Sequence, residues 1–133
     1  MTVQYWQRSR KPGAKLPPNT ICCTRPGWLG NPFYVESNPF FPGQWVVKHT
    51  LEEYGWYLAG GFNSKREAVE YAVVAYRTWF NHTDRAEYRE RALNTLKGFE
   101  YAADWCAPGA PCHVQDVLIP AANALTKKES AHV

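Results

Sequence analysis

A chain of 133 residues has the length of one domain, and six Trp, eight Tyr and six Phe give it ample apolar surface to bury. That content excludes a disordered chain, and no run approaches the ~18 apolar residues that a membrane span needs. The net charge of +3 and a pI near 8.7 fall short of the pI above about 9 typical of a dedicated nucleic-acid domain.

The first residues, Met1-Thr2-Val3-Gln4-Tyr5-Trp6, lack a basic segment followed by an apolar stretch. No signal peptide is expected, and the expected location is the cytoplasm. In a reducing compartment the four cysteines are expected to be free, catalytic or metal-bound rather than paired. Residues 1–19, with Arg8, Arg10, Lys11 and Lys15 among prolines, read as an irregular basic arm.

Thr20 to Thr24 is a short β-prone run, closed by Arg25-Pro26-Gly27 and by Gly30-Asn31-Pro32. Phe33-Tyr34-Val35, Gln44–His49 and Trp56–Ala59 read as further strands, with a turn at Glu53-Tyr54-Gly55 and Gly60-Gly61 closing the unit. Ser64-Lys65-Arg66-Glu67 is a capping box. The helix after it carries Ala68, Ala72, Tyr76 and Trp79 on one stripe, with Val69, Val73 and Phe80 beside it. Asp84-Arg85-Ala86-Glu87 reads as a second capping box, opening a helix with Tyr88, Ala92, Leu93 and Leu96 inward and Lys97-Gly98 as its stop. Phe99–Trp105 reads as a strand and His113–Thr126 as a helix that Pro120 kinks or restarts. Residues 20–126 are therefore expected to form a single globular α/β (or α+β) domain, a mixed sheet with about three helices packed on it. Residues 127–133 read as a polar tail.

The densest reactive chemistry is Asp104-Trp105-Cys106, an Ala-Pro-Gly-Ala-Pro loop, then Cys112-His113 with Asp116 beyond. Cys, His and Asp all ligate zinc, so Asp104, Cys106, Cys112 and His113 form a candidate metal set. Alternatively Cys112, whose thiol pKa a helix N-terminus would lower, is a nucleophile, with His113 and Asp116 as candidate catalytic groups. Two partly buried cysteines bracing a tight loop are the bland reading. A second candidate is Arg25 through Phe33, where a guanidinium beside a Gly-containing turn suits a phosphate or carboxylate and makes Arg25, Gly30 and Asn31 candidate ligand-binding residues. A turn shaped by Gly30 and Pro32, with Arg25 paired to a carboxylate, explains the same residues without a ligand. Cys22 and Cys23 point to opposite faces of a strand and are expected to pack, and His49 and His82 read as surface residues.

Taken together, Arg25-x4-Gly30-Asn31-Pro32-Phe33, Tyr76-Arg77-x-Trp79, Leu96-x-Gly98, Trp105-Cys106 and Pro111-Cys112-His113 resemble one small phage and bacterial family, domain-of-unknown-function family 4326. The resemblance covers about residues 20–124. It implies Cys-x-Cys on the strand where this chain has Asp104 and Cys106, and an Asp two positions after His where this chain has Asp116 three after His113. It implies that the arginine loop and the cysteines face one crevice at the carboxyl ends of strands.

The function expected on these grounds is a phage-type protein whose polar pocket binds or processes a nucleotide-like small molecule or nucleic acid beside a Cys/His centre, with zinc as the implied cofactor. The alternative is a non-enzymatic effector that binds a host protein through its aromatic-rich surface, inhibiting a host or defence factor from the host cytoplasm, with the Cys/His loop only structural. A third reading is nucleic-acid binding through the basic arm.

Overall fold

The computed structural model describes residues 2–51 and 57–131, so the turn expected at Glu53-Tyr54-Gly55 lies outside the described residues. The strands divide between two three-stranded sheets. The first is parallel and contains β1 (Gln4–Gln7), β2 (Thr20–Cys22) and β6 (Tyr101–Asp104), with β6 in the middle. The second is an antiparallel meander of β3 (Phe33–Ser37), β4 (Trp45–His49) and β5 (Tyr57–Phe62). Among the described residues three α-helices complete the domain: α1 (Lys65–Asn81) packs on the antiparallel sheet, and α2 (Ala86–Leu96) packs against α1 and α3 (Ile119–Ser130). The expected α/β domain with three helices is what the chain forms.

The parallel sheet positions the site. Its register sets Gln7 opposite Asp104, and Cys22 opposite Ala103. Arg8 N then donates to the Asp104 carbonyl at 2.7 Å, and Cys23 N to the Ala103 carbonyl at 2.8 Å. All three strands therefore deliver their next residues to the same edge. Ala102 and Ala103 are fully buried, and their small side chains let neighbouring elements approach β6 closely.

Residues 1–19 are not wholly irregular: Gln4–Gln7 is a strand, and Val3 is a core residue with 3% exposure. Asn123 of α3 holds Val3 by both backbone groups, accepting from its N–H at 2.8 Å and donating to its carbonyl at 3.1 Å. Asn123→Ala removes both bonds and should cost about 1–3 kcal/mol, read as a lower midpoint in urea unfolding. An unchanged midpoint would mean that β1 is held by pairing with β6 alone.

In the meander β5 carries an extra residue against β4, between the Trp45–Phe62 and Val47–Ala59 pairs. Gly61 sits in that stretch with φ of 80°, a conformation open to glycine, so Gly60-Gly61 forms a bulge inside the strand rather than its end. Ser64 caps α1, its Oγ accepting from Glu67 N at 3.1 Å. Ala68, Ala72, Val73, Tyr76 and Phe80 are the buried stripe of α1, which packs on the antiparallel sheet.

Asp84 does not cap α2. Its amide is taken by His82 Nδ1 at 3.1 Å, and a 3-10 turn, Thr83–Arg85, precedes the helix. Arg89 of α2 instead reaches back to the Phe80 and His82 carbonyls at 2.8 and 3.2 Å, satisfying acceptors that the end of α1 leaves open. Before α3 the backbone makes a wide π-helical turn, Val114–Leu118, in which Ile119 N–H reaches back to Val114 O. Pro120 falls in the first turn of α3, where a missing N–H costs little. The helix then runs through the expected tail to Ser130, and Lys97 meets Glu129 at 2.9 and 3.0 Å.

Candidate functional site

The carboxyl edge of the parallel sheet carries the acid–thiol cluster. Asp104 ends β6, and Cys106 follows two residues on. The Pro/Gly loop then turns the chain back so that Cys112 stands just before the π-helical turn. The donor atoms of Asp104, Cys106 and Cys112 all lie within 4.8 Å of one another, close enough to hold a metal ion. Asp104 Oδ1 is fixed by the Trp105 amide at 2.8 Å, which leaves Oδ2 facing the Cys112 and Cys106 sulfurs at 3.7 and 3.9 Å.

His113 stands beside this triangle. Its Nε2 is 2.9 Å from the Leu29 carbonyl, an acceptor only, so Nε2 carries a proton. Its Nδ1 faces Asp104 Oδ2 at 3.5 Å. Burial holds the imidazole pKa below its ordinary value, and the Arg25 charge adds to that, against the opposing pull of Asp104 and the Leu29 carbonyl. Tyr76 of α1 packs edge-on against the ring with centroids 4.9 Å apart, fixing its plane. In the neutral ring Nδ1 is therefore a lone pair turned towards a carboxylate oxygen, an arrangement that a shared cation relieves.

The two thiols differ sharply. The hydrogen bond from Cys106 holds the Cys112 pKa below the ordinary thiol value, helped by the Gln115 and Val114 amides at the helix start and opposed by burial. The same bond, then burial, drives Cys106 upwards. Cys23 behaves otherwise. It is wholly buried in the core and burial pushes its thiol up to about 12, which fits the packing role expected of it.

Asp116, a candidate catalytic group, is exposed and accepts from the Cys112 amide at 2.9 Å. Its carboxylate holds the backbone that presents Cys112, which makes it a positioning residue.

The cluster borders a cavity of about 870 Å³ between the sheet edge, the antiparallel meander and the first turns of α1. Asp104, Cys106, Cys112 and His113 line one side, and Arg10, Arg25, Lys65 and Arg66 line others. Of the three residues expected to bind a ligand, Arg25 and Asn31 reach the cavity and Gly30 does not. Gly30 is buried, and its N–H is taken by the Gly27 carbonyl at 2.9 Å. Its role is steric: a Cβ there would lie 2.7 Å from Arg25 N and 2.8 Å from Arg25 Cα. Asn31 is also committed in part, accepting from Phe33 N at 2.9 Å.

Five contributors escape the sequence reading. Tyr5 of β1 donates its hydroxyl to the Cys106 carbonyl at 2.6 Å, and burial, with the nearby thiols, raises its pKa. Arg10 stacks on Trp105, and Lys65 and Arg66 come from the capping box of α1. The Leu29 carbonyl ties the arginine loop to His113. For Tyr5 and Arg10 the only sequence signal was the mixture of basic and aromatic residues in the first ten positions.

The fold and site define a small α/β protein with an acid–thiol cluster at the strand ends of a parallel sheet. The model of the family described as Domain of unknown function (DUF4326) matches residues 6–124, and the chain belongs to that family. No curated protein and no solved structure matches it. No helix among the described residues is long and apolar enough to cross a membrane.

Proposed function

We propose that Asp104, Cys106 and Cys112 hold a zinc ion beside a pocket for a nucleotide-like ligand, and that the protein binds or processes that ligand there. The observation that carries this reading is the donor triangle of Asp104, Cys106 and Cys112 on the cavity wall, its donor atoms all within 4.8 Å of one another. Three protein donors are the number used by zinc sites that keep a fourth position for water or substrate. Zinc in such a site supplies a Lewis acid or an activated water. His113 would support the site from the far side of Asp104, its Nε2–H anchored on Leu29.

The test is metal analysis of untagged protein purified without chelator, together with alkylation rates of its thiols. About one zinc per chain, lost in Cys112→Ser, is the expected result. No zinc and one fast-alkylating cysteine would replace the metal with a thiol centre at Cys112. No zinc and uniformly slow thiols would remove both.

One observation favours the protein-binding alternative. Phe40 and Phe41, in the turn between β3 and β4, are 83% and 61% exposed. That reading expects the double change Phe40→Ser with Phe41→Ser to abolish the protein's effect on cells that produce it, with zinc content and melting unchanged. An effect of full size in that variant removes it.

A further inference from the structure

Three cations of the cavity wall rest on aromatic rings. The Arg10 guanidinium lies 4.0 Å from the centroid of Trp105, Arg25 lies 4.8 Å from that of Tyr34, and Lys65 Nζ lies 5.7 Å from that of Trp45. They arrive from separate places, namely the segment after β1, the loop after β2 and the first turn of α1. Among the described residues none of the three takes part in a salt bridge, although other basic side chains do so with Glu36, Glu70 and Glu129. A ring face holds a cation in position without neutralising it. Each therefore keeps its whole charge and its donors while losing much of its freedom, which is the preorganisation that lowers the cost of binding an anion.

We infer that the cavity takes a small molecule bearing at least two linked phosphate groups, clamped by Arg10, Arg25 and Lys65, with its other end against Asp104, Cys106 and Cys112. This deepens the nucleotide-like reading of the pocket and rests on it. A single phosphate monoester carries roughly −1.5 to −2 charges, so two phosphate groups are needed to match three cations. Guanidinium groups bind phosphate oxygens in pairs, and the ammonium of Lys65 adds a point charge. The N-terminal end of α1, a helix of 17 residues, stands at the same wall and its dipole has the same sign. The volume lies within the roughly 300–1,000 Å³ of small-molecule sites. A nucleic-acid strand is served by a groove whose cations follow its backbone, whereas these three converge on one cavity.

The experiment is isothermal titration of inorganic pyrophosphate and of orthophosphate into the full chain freed of metal by dialysis. Pyrophosphate should bind at least tenfold more tightly than orthophosphate. Arg10→Gln, Arg25→Gln and Lys65→Gln should each weaken pyrophosphate about tenfold, the loss expected for one charged hydrogen-bonding partner. Arg91→Gln is the control, because Arg91 also rests on a ring, 4.6 Å from that of Trp28, but does not line the cavity. It should leave affinity unchanged. Equal affinity for the two anions, or equal loss in the control, would overturn the clamp. So would binding of a thymidine 20-mer without binding of pyrophosphate. A parent that holds zinc and ignores pyrophosphate would sink the clamp and leave the metal centre standing.

Discussion

Cys112→Ala is expected to lower zinc affinity by about two orders of magnitude and to remove most of the stabilisation expected from bound zinc. Structural zinc binds with about 10–16 kcal/mol through four ligands, so one ligand accounts for about 3 kcal/mol. Cys112 should contribute at least that share, because its thiol ionises more readily than that of Cys106. Ionising a second thiol for the metal costs more, which makes Cys106→Ser the milder change. At a zinc concentration of 100 times the parent's Kd, bound metal stabilises the native state by about 2.7 kcal/mol. The variant forfeits most of this. The shrunken side chain leaves a small buried space, since Cys112 has 1% exposure, but that cost appears equally in metal-free protein. The measurement is a pair of melting curves, with zinc and without, for parent and variant. A parent that rises with zinc and a variant that does not is the expected pattern. Equal rises would take Cys112 out of the site.

How much of this was legible follows from sequence distance. Asp104, Cys106 and Cys112 lie within nine positions, and a strand end followed by a Pro/Gly loop brings such residues together by local geometry alone. α1 is legible because its buried stripe repeats at the helical period and Ser64 marks its start. β1 is not. Gln-Tyr-Trp-Gln carries no alternation, and its partner β6 lies almost the whole chain away. Parallel pairing leaves no turn in the sequence to announce it. The same holds for the cations. Arg10, Arg25 and Lys65 look like an arm, a turn and a helix start, and only the packing of α1 and the two sheets sets them around one space. Gly30 shows a different limit. Its identity is legible as a turn signal, but a turn signal does not distinguish a residue that touches a ligand from one that makes room for the chain. Leu29 shows the extreme case, since it acts through a carbonyl that every residue type possesses.

That carbonyl underlies the second large effect, which is expected from a single methyl group. In Gly30→Ala the new Cβ would meet the backbone of Thr24 and Arg25 at 2.7–2.9 Å, closer than real Cβ atoms approach. The atoms it meets belong to main chain, so no flexible side chain can swing aside, and the loop must move. Gly27 is a weaker case, with a Cβ contact at 3.0 Å to the Thr24 carbonyl alone. Overpacking of this kind costs about 1–3 kcal/mol. In a domain of this size that is a melting temperature lower by roughly 4–15 °C. The loss should not stop at stability. Leu29 precedes Gly30, and its carbonyl anchors His113 Nε2 at 2.9 Å. A loop displaced by a few tenths of an ångström loosens the imidazole beside Asp104, and weakened support of this sort typically costs 10–100-fold in metal affinity. The arginine loop and the Cys-His pair lie more than 80 residues apart, so no local argument couples them. Gly30→Ala should therefore reduce both melting temperature and zinc affinity, whereas Asn123→Ala, equally destabilising but bonded to Val3 rather than Leu29, should reduce only the first. Zinc titrations of the two variants at a temperature where both are folded decide it. If both retain the parent's affinity, the loop braces the fold and nothing more.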